Sequence, residues 1–163
     1  MVARDPMTPR IDDDGAGTLT IGGARFLLIR PETLAALQRA AEAALGRRAA
    51  DCLAAGGRAG GARATAGLSG TAEEKARRLV EMGRAIGWGH FVLERFDGDG
   101  FVVVVRDSPF AEAYGASAVP VCHLTRGVLE SLAMLTLGRP ARVVESQCAA
   151  AGAPHCRFEA RAE

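Results

Sequence analysis

The chain has 163 residues, of which 48% are apolar, and its formal net charge is +1. This length and composition predict one domain with a buried core, and the balanced charge argues against nucleic acid or an anionic membrane surface as a partner. Residues 1–16 are charged and lack the apolar stretch of a secretory signal, and no apolar run in the chain is long enough to span a bilayer. We therefore expect a flexible leader over 1–16, a single domain over 17–163, and a cytoplasmic location where thiols stay reduced.

The first elements predicted are a hairpin and a helix. Gly22 and Gly23 lie between two β-rich runs, and paired glycines supply the positive φ angles of a tight hairpin. A helix is predicted to begin at Pro31 and to end at Gly46. Its inner face would carry Leu34, Leu37, Ala41 and Leu45.

Residues 47–68 combine helix-forming alanine and leucine with five glycines. Each glycine in a helix interior costs up to about 1 kcal/mol relative to alanine, which favours a weak or broken helix. The alternative is a close-packed helix whose small residues let a partner or a ligand approach. Cys52 occupies an apolar position in this segment and is predicted to be a buried thiol.

The middle of the chain predicts a capped helix and a second hairpin. Thr71 and Glu74 fit a capping box at the start of a helix over 71–87. Within 88–107, two β-rich runs flank the turn sequence Asp-Gly-Asp-Gly, and this arrangement favours a hairpin.

The last part predicts a loop, a helix and two strands. Residues 108–120 have the composition of a connecting loop with room for one helical turn, and 121–137 have a helical pattern that Gly138 closes. Residues 141–148 and 156–162 then predict two strands separated by a turn.

Three of the four cysteines and one glutamate fall in this last part. A hairpin turn would bring Cys148 and Cys156 together. Glu145 lies near the end of the first strand, and Cys122 lies near the start of the preceding helix. Because Zn²⁺ takes four Cys, His or carboxylate ligands in a tetrahedron, these four side chains could fill one site.

Spacing alone leaves the use of these residues open. The cysteines could be unrelated small core residues, or Cys148 and Cys156 could form a disulfide. His123 and His155 flank two of the cysteines and are rival fourth ligands. We expect both histidines to face solvent or to bond loop carbonyls instead.

The segment 120–160 resembles the 4-vinyl-reductase (V4R) domain family. The shared pattern is a Cys at a helix start, a Gly in the helix, a Glu, a Cys, a Gly, and a final Cys followed by an aromatic residue. In this chain these residues are Cys122, Gly127, Glu145, Cys148, Gly152, Cys156 and Phe158. The resemblance implies an α+β fold, an antiparallel sheet packed with helices. Components of the TRAPP vesicle-transport complex and haem-based nitric-oxide sensors share that fold, and the domains are usually homodimers.

The family includes the ligand-sensing domains of phenol-responsive transcription activators, in which three Cys and one Glu bind zinc. Carried over position by position, the resemblance implies that Zn²⁺ is the cofactor and that its ligands are Cys122, Glu145, Cys148 and Cys156. Four protein ligands leave no open position for a water molecule, so this metal would be structural and not hydrolytic.

The family also includes a protein of bacteriochlorophyll biosynthesis. We therefore expect the domain to hold a hydrophobic small molecule such as a tetrapyrrole intermediate, as a carrier or auxiliary factor to a biosynthetic reductase. One alternative is a stand-alone sensor of aromatic effectors, and another is a 4-vinyl reductase enzyme. Catalysis is disfavoured, because reduction needs a hydride or electron source. The glycines of 56–61 lie in a helical pattern and not at a nucleotide-binding strand-to-helix turn, and no catalytic residue is predicted.

Ligand-binding residues are expected among the aromatic side chains of the second hairpin and the loop after it. Pockets are mostly apolar, with a few polar groups that fix the orientation of the ligand. The candidates are Trp88, His90, Phe91, Phe101, Phe110 and Tyr114. Each aromatic ring could instead be ordinary core. Trp88 lies between two glycines and could stack on a ligand, and His90 could be a hydrogen-bond partner.

Overall fold

The computed structural model describes residues 10–163, which divide into two compact units, the first ending at Arg30 and the second beginning at Pro31. The first unit is an antiparallel sheet of three short strands: β1 (Ile11–Asp13), β2 (Leu19–Ile21) and β3 (Ala24–Phe26). Gly22 and Gly23 have φ angles of 57° and 80° between β2 and β3, so the predicted hairpin is confirmed. Of the predicted leader, 1–9 lie outside the described residues, and β1 occupies 11–13.

The second unit combines five helices with one four-stranded sheet, within the described part of the chain. The helices are α1 (Pro31–Leu45), α2 (Arg48–Thr65), α3 (Ala72–Ala85), α4 (Pro109–Tyr114) and α5 (His123–Leu137). The strands are β4 (His90–Asp97), β5 (Gly100–Arg106), β6 (Ala141–Gln147) and β7 (Cys156–Ala162). They pair antiparallel in the order β4-β5-β7-β6. The predicted α+β fold, an antiparallel sheet packed with helices, is therefore confirmed.

The core of the second unit lies between the sheet and the helices. Strand β5 is central in the sheet, and its side chains from Phe101 to Val105 are at most 4% exposed. Other large buried side chains of this layer are Phe158 of β7 and Leu129 and Leu132 of α5. None of the helices in the described residues combines the length and the apolar composition needed to cross a membrane.

Helix α2 corrects the prediction of a weak or broken helix. It runs unbroken for 18 residues and packs against α5. A Cβ atom added at Gly57 would lie 2.2 Å from the carbonyl oxygen of Leu124, and one added at Gly127 would lie 2.0 Å from that of Ala54. The glycines therefore let the two helix backbones touch. This close tertiary contact offsets the poor helix propensity of glycine, and the element that approaches is α5 of the same chain.

Two predictions about side-chain burial are wrong. Cys52 is exposed on α2 and not buried. On α1, the predicted inner residues Leu37 and Leu45 are 59% and 41% exposed, whereas Ala35 and Gln38 are buried. The Gln38 amide nitrogen donates to the backbone carbonyl of Val121 at 3.0 Å. The apolar stripe of a helix shows that it is amphipathic, but its neighbours in the fold decide which part of the stripe is covered.

Candidate metal centre and aromatic pair

Four side chains of the second unit form one group: Cys122, Glu145, Cys148 and Cys156. One ligand atom from each residue lies within 4.8 Å of the ligand atoms of the other three, and all four residues are buried. This is the combination that the sequence singled out. The described residues thus contain a Cys/Glu cluster that could hold a metal ion.

Three elements place these side chains together. Cys122 is the residue before α5, Glu145 points inward from β6, and Cys156 is the first residue of β7. Cys148 follows β6 directly and is joined to β7 by a 3-10 turn that ends at Gly152, whose φ is 88°. Because β6 and β7 pair antiparallel, Cys148 and Cys156 lie close together at the two ends of this turn. Both also lie beside Cys122 at the start of α5.

The distance between two of the three sulfur atoms suits a tetrahedral metal. The Sγ atoms of Cys122 and Cys156 are 3.6 Å apart. With Zn–S bonds of about 2.3 Å, the edge of a zinc–sulfur tetrahedron is about 3.8 Å. The two thiols therefore need only a small adjustment to bind one such ion.

Glu145 is held by one oxygen and leaves the other unpaired. Its Oε2 accepts a hydrogen bond from the backbone N–H of Cys122 at 2.9 Å. Its Oε1 is buried and finds no hydrogen-bond partner among the described residues. A buried polar atom without a partner costs free energy, and a cation at the centre of the cluster would satisfy this oxygen.

The ionisation of the cluster also points to a cation. Burial raises the pKa of the Glu145 carboxyl to about 8. Hydrogen bonds to Cys148 and Cys156 raise the pKa of Cys122, whereas accepting hydrogen bonds from Cys122 and Cys156 lowers the pKa of Cys148. The metal-free cluster therefore retains protons near neutral pH, and a bound divalent cation would displace them.

The described residues show neither a disulfide nor a histidine in the cluster. All four cysteines are free thiols, so Cys148 and Cys156 are not joined by a disulfide. His123 and His155 are half-buried neighbours of the cluster, but neither belongs to the group of converging donors.

Sequence reasoning missed a polar side chain that contacts the cluster. Ser108, which precedes α4, is buried, and its Oγ lies 3.6 Å from Sγ of Cys122. The Ser-Pro pair at 108–109 is a recognisable helix start. This pair could have predicted α4, which occupies part of the predicted loop over 108–120. The contact with Cys122 depends on tertiary structure and left no local signal.

The predicted ligand-binding residues occupy different environments. Phe91 and Phe101 are buried in the core, and Phe101 is completely inaccessible. Trp88, Phe110 and Tyr114 are partly buried and pack against that core. His90, the first residue of β4, is exposed.

Two of these aromatic rings contact each other directly. Trp88 and Phe110 meet edge to face with their ring centroids 4.9 Å apart. Tyr114 is engaged elsewhere, because its hydroxyl donates to Glu42 at 2.7 Å and the guanidinium of Arg39 lies over its ring. The structure therefore brings Trp88 and Phe110 together as an aromatic pair and uses Tyr114 to join α4 to α1.

Comparison with known families supports the resemblance read from the sequence. The family model of the V4R domain matches residues 101–162. This range runs from β5 to β7 and includes the whole Cys/Glu cluster. The resemblance to the V4R domain family is thereby confirmed for the part of the chain that holds the candidate metal centre. A comparison with curated proteins finds no match.

Solved structures with the same fold include a sensor domain, a V4R protein and a trafficking subunit. The phenol-responsive sensory domain of the transcription activator PoxR, solved with phenol, is 20% identical with a TM-score of 0.81, covering 95% of this chain and 85% of that one. A vinyl-4-reductase family protein from Methanocaldococcus jannaschii is 13% identical with a TM-score of 0.54, covering 85% and 98%. Subunit 3 of the trafficking protein particle complex from Naegleria fowleri, covalently bound to palmitic acid, is 11% identical with a TM-score of 0.59, covering 82% and 95%. At these identities the likenesses establish the fold.

Proposed function

We propose that this protein is a small-molecule-binding domain whose second unit is stabilised by one structural zinc ion. The ligands would be Cys122, Glu145, Cys148 and Cys156. The observation that carries the metal assignment is the convergence of four buried residues whose ligand atoms lie within 4.8 Å of one another. The unpartnered Oε1 of Glu145 adds support. Three thiolates and a carboxylate are a donor set that zinc accepts.

The ion would act as a crosslink. It would tie the start of α5 to the facing ends of β6 and β7, which are up to 34 residues away along the chain. Four protein donors complete the tetrahedron, so the site offers no position for an activated water. Binding energy at such a site contributes directly to folding, and we assign the metal a stabilising role.

For the ligand, we propose a compound with one aromatic ring as the first candidate. The support is the phenol in the PoxR sensory domain, together with the partly buried pair Trp88 and Phe110 at the edge of the core. A tetrapyrrole intermediate delivered to a reductase is the second candidate, supported by the resemblance of 120–160 to a family with a member in bacteriochlorophyll synthesis. Phe91 and Phe101 are close-packed, so a four-ring molecule would have to displace more of the core than a single ring would.

The metal proposal is tested by elemental analysis of protein purified without added metal. We expect close to one zinc per chain, and loss of that zinc when Cys148 or Cys156 is replaced by serine. Cys52→Ser is the matched control, because Cys52 is exposed on α2 and does not belong to the cluster. A well-folded protein free of zinc would contradict the proposal.

The ligand proposal is tested by calorimetric titration with phenols and with protochlorophyllide-type pigments, alongside the fluorescence of Trp88, the chain's one tryptophan. We expect Phe110→Ala to weaken binding, because it removes the ring that contacts Trp88. Phe96→Ala is the control, because it removes a partly buried ring that stacks on Phe101 and does not belong to the aromatic pair. Tighter binding of pigments than of phenols would favour the tetrapyrrole role. Equal affinities for Phe110→Ala and the wild type would place the ligand away from the aromatic pair.

The homodimer and the cytoplasmic location expected from the sequence belong to the same proposal. A reducing compartment would keep the three clustered thiols available to the metal. Light scattering on the purified chain measures its mass in solution, and a mass of one chain at micromolar concentration would remove the dimer from the proposal.

A further inference from the structure

Ser108 connects the candidate metal centre to helix α4. Its side chain is buried, with 4% of the residue exposed, at the junction between β5 and α4. Its Oγ lies 3.6 Å from Sγ of Cys122 and accepts a hydrogen bond from the backbone N–H of Ala111 at 3.4 Å. The same hydroxyl therefore caps α4 and contacts a proposed metal ligand.

The chemistry of the hydroxyl sets the direction of the contact with sulfur. A serine hydroxyl has one hydrogen to donate and two lone pairs that accept. Ala111 uses a lone pair, so the hydrogen remains free for Cys122. A cysteine that binds a metal does so as the thiolate, which has no hydrogen of its own, so in the metal-bound protein the serine must be the donor.

We propose that Ser108 is a positioning residue of the metal centre, donating its O–H hydrogen to the Cys122 thiolate and fixing that ligand relative to α4. This inference rests on the proposed metal-binding function. Hydrogen bonds to ligating atoms orient the ligand and tune its electron density, and their loss typically weakens metal affinity by 10–100-fold. Removing the donor raises the energy of the sulfur lone pairs and makes the thiolate a stronger electron donor.

The contact has a second consequence, because α4 also carries Phe110. Phe110 is two residues after Ser108 and packs edge to face on Trp88. The hydroxyl of Ser108 thus links the metal ligand Cys122 to the helix that supports one half of the aromatic pair.

The test uses the cobalt-substituted protein, because the sulfur-to-cobalt charge-transfer band reports the electron density on the thiolates. Ser108→Ala removes the cap and the hydrogen bond to sulfur. Ser108→Gly also removes that hydrogen bond. Glycine in place of serine at a helix N-cap costs only a few tenths of a kcal/mol, so this variant loses little of the capping stability of α4. Ser108→Thr retains the hydroxyl. Ser131→Ala is the matched control, because Ser131 is a buried serine whose hydroxyl donates to the Arg58 carbonyl on another helix.

We expect the charge-transfer band of Ser108→Ala and Ser108→Gly to move to longer wavelength, because the thiolate becomes a stronger donor. Their zinc affinity against a competing chelator should nevertheless fall about 10-fold, because the lost orientation of Cys122 costs more than the stronger donation gains. Ser108→Thr and Ser131→Ala should keep the wild-type band and affinity. If the wild type takes up no cobalt or zinc, the metal proposal fails and this inference fails with it. If the wild type binds one ion and Ser108→Gly has the wild-type band and affinity, only the role of Ser108 is overturned.

Discussion

Replacing Gly57 by alanine should destabilise the second unit. The new Cβ would lie 2.2 Å from the carbonyl oxygen of Leu124 and 3.1 Å from Cα of Gly127. Both are backbone atoms that cannot rotate away, so α2 and α5 would have to separate by about an ångström to restore ordinary contact. Overpacking of this kind costs about 1–3 kcal/mol, and the better helix propensity of alanine returns about 1 kcal/mol. Because this clash is severe, we take the upper value and expect a net loss of about 2 kcal/mol.

Gly60 provides the matched control three residues further along α2. A Cβ added there would meet no atom within 4 Å, so Gly60→Ala should stabilise the protein by about 1 kcal/mol through helix propensity alone. Urea denaturation followed by circular dichroism measures both variants, and a change in midpoint at constant slope reports stability. If Gly57→Ala is as stable as Gly60→Ala, the helices are not in the close contact described here.

Three further predictions concern the metal cluster and a helix cap. Cys156→Ser should abolish zinc uptake and lower the melting temperature strongly, whereas Cys52→Ser should leave both unchanged by elemental analysis and calorimetry. In protein stripped of metal, burial raises the pKa of Glu145 to about 8. The folded state then holds a proton that the unfolded state releases near pH 4.5. The stability of the wild type relative to Glu145→Gln should therefore fall as the pH rises from about 4.5 to 8. A difference in urea midpoints that does not change with pH would contradict this. Thr71→Ala should cost about 1 kcal/mol, because the Thr71 side chain accepts from the backbone N–H of Glu74 at 3.2 Å; an unchanged urea midpoint would contradict the cap.

The parts of the fold that the sequence predicted well are those with local signals. The capping box of Thr71 and Glu74 starts α3 as expected, and the glycine pair at 22–23 turns the first hairpin. The predicted break in α2 is wrong because the contact that stabilises this helix is not local in sequence. Propensity counts glycines within a window, whereas the favourable contact of Gly57 is with Leu124, which is 67 positions away in sequence.

The candidate site also has features with a sequence signal and features that depend on contacts between distant residues. The four converging side chains could be found because hairpin geometry brings the two ends of a turn together, and because the V4R pattern ties those ends to Cys122. The contacts that hold the cluster in place were not predictable. Ser108 reaches Cys122 across 14 positions, and Gln38 bonds the carbonyl of Val121 across 83. A buried Gln on an otherwise apolar helix face has no sequence signature that distinguishes it from a solvated one.

Helix α4 offers a route by which the proposed metal, which would have no open coordination position, would affect the proposed ligand binding. Over seven residues its N-cap contacts Cys122, its second residue packs on Trp88, and its last residue bonds Glu42 of α1. A helix of six residues has little stability of its own, so its position depends on tertiary contacts, and these three are among them. Anything that fixes Cys122 therefore limits the freedom of Phe110. A structural ion would act on an aromatic ligand by holding the wall of its site in place, without touching the ligand.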